Sequence, residues 1–170
     1  MTTTHSDTTL DDVVRRLTHL EDVREIEQLK YRYASFCDDG YNPDGIASLF
    51  ADDGRWVVDG EGGSMTGHEE IKTHFRALSA KIPWALHYMI APRVDIAADG
   101  ESATGFFYLL CLCTIENSQD PAKHDAVILT INYTDQFVKR DGKWFFQELL
   151  GKTHQVSNWN KGWVEQPFRD

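Results

Sequence analysis

The apolar positions near the start of the chain follow a helical period. Leu10, Val13, Val14, Leu17 and Leu20 recur at steps of three and four, and Val23, Ile26, Leu29, Tyr33 and Phe36 extend the stripe to about Cys37. This spacing predicts one long helix, or two in series. Thr8-Thr9-Leu10-Asp11 supplies its start, a Thr cap with an acid in the first turn. Asp38-Asp39-Gly40-Tyr41-Asn42-Pro43 ends it, and Asn42 with Pro43 offers the cap and first position of a short second helix closing near Phe50. Arg55 to Asp59 alternates weakly into Gly60-Glu61-Gly62-Gly63, a strand and a hairpin turn. Gly67 to about Leu78 reads as a third helix with Ile71, Phe75 and Leu78 on its apolar face.

The period then changes. Trp84 to Ile96, Ser102 to Ile115, Ala126 to Lys139 and Lys143 to Val156 are rich in aromatic and β-branched residues. They are separated by Ala98-Asp99-Gly100, a polar loop around Pro121, and Arg140-Asp141-Gly142. Helices first and strands second predict an α+β domain in which residues 10 to 80 are mainly helical. Residues 84 to 156 are then expected to form most of a strongly bent antiparallel sheet. The expected boundaries are a flexible start over residues 1–9, a domain over 10–156, and a tail over 157–170.

Composition narrows the function. The 170 residues carry a formal net charge of -10, and no basic run or basic helix face appears, which excludes a phosphate-backbone partner. Cys37, Cys111 and Cys113 are odd in number and lack metal-ligand spacing. Cys111 and Cys113 share a strand face with Leu109 and are expected to pack as small hydrophobes. The polar opening is not a signal peptide, and no apolar stretch reaches the roughly 20 residues of a membrane helix. The expectation is a reduced, cytoplasmic protein that does not engage a membrane. His68 and His74 stand six apart, which does not place them on one helix face, so no metal site is expected. Asp52-Asp53 lacks the remaining ligands of a calcium loop. Lys152 and His154 alternate on the last strand and can face either a pocket mouth or solvent.

Tyr33 and Asp38, followed by Ile46-Ala47-Ser48-Leu49-Phe50-Ala51-Asp52-Asp53-Gly54, then Thr66-Gly67-His68-Glu69-Glu70-Ile71, and last Tyr133 to Trp144, occur in an order that resembles the nuclear transport factor 2 superfamily with its SnoaL-like domains. The likeness covers roughly residues 20 to 155. It implies a cone, with N-terminal helices packed on a bent sheet around an apolar pocket. Within the superfamily, the scytalone dehydratase, bile-acid dehydratase and dehydrochlorinase-like subset pairs an Asp after the first helix with a His on the strand after the third. Asp38 and His87 match those positions, and Tyr33 matches a tyrosine of the bile-acid enzyme. Some relatives carry an Arg on the last strand, where this chain has Leu149.

The resemblance implies a cofactor-independent lyase or isomerase acting on an apolar cyclic, polyketide-like or steroid-like molecule. His87 would be the general base, Asp38 the carboxylate that fixes its tautomer, and Tyr33 the polarising acid. The dyad is expected within hydrogen-bond reach, inside the largest pocket. The same pair could close a ring as a polyketide cyclase, and a non-catalytic ligand-binding protein or dioxygenase β subunit shares the fold. The resemblance also implies a homo-oligomer, dimer or trimer. Trp159 and Trp163, in a polar tail, are expected to cover the pocket or meet a second subunit.

Overall fold

In the computed structural model, which describes residues 9–169, the first stripe forms one helix, α1 (Leu10–Asp38). Thr9 caps it reciprocally: its hydroxyl accepts the Asp12 amide at 3.2 Å, and the Asp12 carboxylate accepts the Thr9 amide at 3.3 Å. That box satisfies donors which a helix start leaves open. Except for Thr9, the stretch expected to be flexible lies outside the described residues. At the other end Gly40 and Tyr41 both take left-handed backbone, φ 63° and 56°, and reverse the chain. Asn42 then caps α2 (Pro43–Ala47), accepting the Gly45 amide at 2.9 Å. The second helix stops before Phe50, which already opens β1 (Phe50–Val58).

The remaining elements are β2 (Gly63–Thr66), α3 (Gly67–Lys81), β3 (Trp84–Ile96), β4 (Ser102–Glu116), β5 (His124–Arg140), β6 (Lys143–Asn158) and a short α4 (Gly162–Glu165). They build an α+β fold in which helices pack on a curved sheet of six strands ordered β2-β1-β6-β5-β4-β3. The four strands of residues 84–156 pair antiparallel throughout, as expected, and the sheet is mixed only where β1 joins it. β1 runs parallel to β6, with Phe50 beside Phe146 and Val58 beside Gly151. Hairpins dictate antiparallel pairing only between consecutive strands. β1 and β6 are joined through α3 and four intervening strands, and a long connection leaves direction free.

The bending has local causes. Register shifts between Ile90 and Arg93, where Ala91 adopts φ 50°, and again near Thr130 and Gln136, insert kinks that coil the strands without closing the sheet. On the concave face, Phe107, Leu109, Cys111, Tyr133 and Phe137 alternate with more exposed residues. They meet Ile26, Leu29, Tyr33 and Cys37 of α1 and Ile71 and Phe75 of α3. Each large apolar side chain so buried contributes about 1.5–3 kcal/mol. The free thiols of Cys37, Cys111 and Cys113 are all buried, as expected of packing residues.

Polar clamps fix α1 on this face. Asp22 Oδ1 accepts Lys139 Nζ at 2.7 Å and the Trp144 indole N–H at 2.9 Å, holding the helix to the β5–β6 hairpin. After β6 the chain returns, so that Phe168 bridges Val156 and Arg169 pairs with Asp125 at 2.7 Å. Trp159 and Trp163 stay 62% and 57% exposed on that return. Among the described residues, no helix is long and apolar enough to cross a membrane.

Candidate active site

His87 projects from β3 on the same side as buried Ala85 and is paired across the ladder with Cys111. Asp38 is the last residue of α1, and the turn after it leaves its carboxylate against β3. Asp38 Oδ1 accepts the His87 backbone N–H at 2.9 Å and lies 2.7 Å from ring Nδ1. A carboxylate can only accept, so this contact puts a ring proton on Nδ1, and in the neutral imidazole the basic nitrogen is then Nε2. The imidazole is 6% exposed and the carboxylate 30%, so the pair is sheltered at the ring and more open at the carboxylate.

Nε2 faces the Tyr41 hydroxyl at 3.4 Å. The Tyr41 ring lies edge-on to His87, with centroids 5.6 Å apart, and stacks on Phe75 at 6.0 Å. Burial raises the Tyr41 hydroxyl pKa well above the ordinary tyrosine value, so it stays protonated and is a hydrogen-bond donor at neutral pH. Sequence reasoning treated Tyr41 only as part of a turn. The available signal was a large aromatic among Asp, Gly, Asn and Pro, where nothing but burial explains it.

Tyr33, a little more than one turn before Asp38 on α1, is 3% exposed. Its hydroxyl oxygen accepts the Trp56 indole N–H at 3.0 Å and makes no hydrogen bond to the dyad. Burial raises this pKa too, well above the ordinary value. The structure thus joins Asp38 and His87 directly and places Tyr33 deeper, on the Trp56 side of the interior.

Beneath Tyr33 lies a charge pair that sequence reasoning missed. Lys30 Nζ binds Asp135 Oδ2 at 2.8 Å, and neither side chain is exposed. The ammonium sits 3.3 Å from the centre of the Tyr133 ring, a close cation–π contact, and 5.2 Å from that of Tyr33. Burial lowers the Lys30 pKa and raises that of Asp135, while each partner's charge opposes the shift of the other. Asp135 Oδ1 also accepts the Leu150 amide at 3.2 Å. Leu149 is fully buried and apolar, and the interior cation comes from Lys30 of α1.

The other described histidines stand apart from the dyad. His68 Nε2 is 3.0 Å from the Phe50 carbonyl, while His124 and His154 are exposed, as is Lys152. His74 stacks on Trp56 with centroids 4.5 Å apart, its Nε2 is buried without a partner, and burial lowers its pKa. Among the described residues, no group of three or more His, Cys, Asp and Glu side chains could hold a metal. A groove of about 730 Å³ lies elsewhere, between the first half of α1 and the β3–β4 turn, lined by residues including Arg15, His19, Ile96 and Gly100. Neither Asp38 nor His87 lines that groove. The dyad stands at the junction of α1, the Tyr41 turn and β3, where helix packing narrows the concave face.

The SnoaL-like domain family profile matches residues 18–149. No curated protein matches the chain by sequence. Solved structures do match by fold. A candidate scytalone dehydratase from Novosphingobium aromaticivorans DSM 12444 superposes with TM-score 0.72 at 21% identity, covering 84% of this chain and 90% of that one. The hexachlorocyclohexane dehydrochlorinase LinA-type3 from Novosphingobium barchaimii LL02 gives 0.73 at 22%, covering 84% and 93%. An NTF2-like protein with a cystatin-like fold from Novosphingobium aromaticivorans gives 0.66 at 22%, covering 87% and 92%. At these identities the likeness is one of fold.

Proposed function

The chain belongs to the SnoaL-like domain family, and on that premise we propose that it is a lyase or isomerase that needs no cofactor and works by acid–base chemistry on an apolar cyclic, polyketide-like or steroid-like molecule. The observation that carries this reading is the Asp38–His87 contact, which commits Nδ1 to the carboxylate and leaves Nε2 basic. Nε2 removes a proton from a carbon next to a carbonyl or leaving group, and the imidazolium formed is stabilised by the Asp38 charge. The electron pair released forms the new double bond as hydroxide or halide leaves the neighbouring carbon. A leaving hydroxyl takes the Tyr41 proton and departs as water, and the imidazolium proton then returns to the Tyr41 oxygen, which restores Nε2 as the base.

Tyrosines held protonated by burial supply the acid side. Tyr41, opposite Nε2, donates to the substrate oxygen once substrate displaces it from the imidazole. Tyr33 is the polarising acid deeper in the interior, its oxygen accepting the Trp56 N–H and its hydroxyl kept protonated by burial. Trp56 and Phe75 beside these hydroxyls offer the apolar walls that a ring system requires. The protein acts as a homo-oligomer, with Trp159 and Trp163 covering the cone or meeting a neighbour. Its free cysteines suit the reducing cytoplasm.

The test follows exchange and elimination together. Cyclic β-hydroxy ketones and chlorinated cyclohexanes are incubated with the protein in D₂O, with α-deuterium uptake read by mass spectrometry and conjugated product by absorbance. Wild type should exchange or eliminate on at least one scaffold, and His87→Ala should do neither. Exchange undiminished in His87→Ala would sink the proposal.

A further inference from the structure

Helix α1 carries apolar stripes on different faces. From Ile26 onward, Ile26, Leu29, Tyr33 and Cys37 are buried against the sheet. Before that, Leu10, Val13, Val14, Leu17 and Leu20 are exposed at 77%, 49%, 53%, 53% and 65%. At about 100° per residue, this first stripe points roughly opposite to the second. From Thr9 to Glu21 no described residue is buried. The side of this arm that faces its own domain is mainly polar, with Arg15, Arg16, Thr18 and His19 lining the groove and Leu20 at its edge. Most of the arm also precedes the family match, which begins at residue 18. A bare helix of this length is marginal in water, and a row of exposed Leu and Val makes it a surface in need of cover.

The spacing and charges say what covers it. Leu10, Val13, Leu17 and Leu20 step by three, four and three, the a and d positions of successive heptads. Val14 and Glu21 then fall at e, and Arg16 at g. In a parallel pair each g residue faces the e residue five places on in the other helix, so Arg16 meets Glu21 of the second copy. An antiparallel pair would set Arg16 near its own counterpart. Arg24 takes the next a position and ends the seam. Because each domain hangs from the face opposite the stripe, parallel arms carry the domains outward on either side without collision. We propose that residues 10–21 pair with the same arm of a second copy as a short parallel coiled coil, an interface separate from the Asp38–His87 site.

The test is oxidative cross-linking of the full chain carrying Leu17→Cys, whose new thiol would meet its counterpart at an a–a layer. The native cysteines are buried and stay silent. Leu17→Cys should cross-link readily at micromolar protein, and Arg15→Cys, on the side of the arm turned toward its own domain, should do so at least several-fold more slowly. Adding Arg16→Glu should lower the Leu17→Cys yield several-fold, and adding Arg16→Glu with Glu21→Arg should restore it. Equal rates for the two cysteines, or a double reversal no better than the single, would overturn the pairing.

Discussion

A single oxygen of Asp38 holds His87 twice, accepting its backbone N–H at 2.9 Å and its ring Nδ1–H at 2.7 Å. The strand and the side chain it carries are thus indexed to the same carboxylate. Orientation of the imidazole then depends on α1 and β3 keeping register. His87→Ala should lower turnover by on the order of a hundred- to ten-thousand-fold, the worth of a positioned general base. Asp38→Asn keeps an accepting oxygen and loses the charge, so kcat should fall with KM nearly unchanged in steady-state assays.

Tyr41→Phe separates ring from hydroxyl. The ring stacks on Phe75 and meets His87 edge-on, and both contacts survive the change. The thermal midpoint should stay near that of wild type, while turnover drops on the order of a hundredfold, as when one donor to a developing oxyanion is removed. Parallel melting and rate measurements separate these effects, and full activity would remove Tyr41 from the acid side.

The Lys30–Asp135 pair makes a stability prediction of definite asymmetry. Lys30→Met leaves the fully buried Asp135 carboxylate without its cation and should cost about 3–5 kcal/mol in urea unfolding. The double variant Lys30→Met with Asp135→Asn keeps an acceptor for the Leu150 amide and should recover much of that loss. A double variant as unstable as the single would show that the aromatic packing around Nζ, not the charge, is what Lys30 supplies.

His74 gives the pH dependence. Its pKa is lowered in the folded state from the ordinary 6.5, because burial beside Trp56 disfavours the charged ring. Below pH 6.5 the unfolded chain therefore binds a proton that the native state resists, and stability falls as the pH drops through that window. Calorimetric midpoints at pH 7.5 and 5.5 should differ less for His74→Phe, which keeps the stacking and removes the titration.

Much of this architecture was legible from periodicity. The bounds of β3 were read directly from the residues, because an aromatic and β-branched run from Trp84 to Ile96 stops at the Ala98-Asp99-Gly100 turn. The Asp38–His87 contact was anticipated only through family resemblance, since nothing local to either residue points to the other. The parallel β1–β6 pairing was hidden because strand direction is settled by distant connections that alternation does not encode. Lys30 and Asp135 were readable and went unread. Lys30 follows Ile26 by four and precedes Tyr33 by three on the buried stripe, and Asp135 alternates with the inward Tyr133 and Phe137. Opposite charges on facing apolar surfaces identify each other. Tyr41 required its left-handed φ of 56°, which no spacing rule supplies for a tyrosine.

The pairing of β1 with β6 also orders events in time. β1 lies between β2 and β6, so its long-range partner is the last strand to leave the ribosome. α1, β3 and β4 can bring Asp38 to His87 before that. The Trp56 bond to Tyr33 instead belongs to a strand whose place in the sheet is completed only when β6 arrives. Non-local pairings of this kind slow folding, because loop closure must precede the contacts that reward it. The dyad and its deeper tyrosine are therefore assembled in sequence. A nascent chain halted before β6 would hold the base and its carboxylate with one wall of the interior still missing.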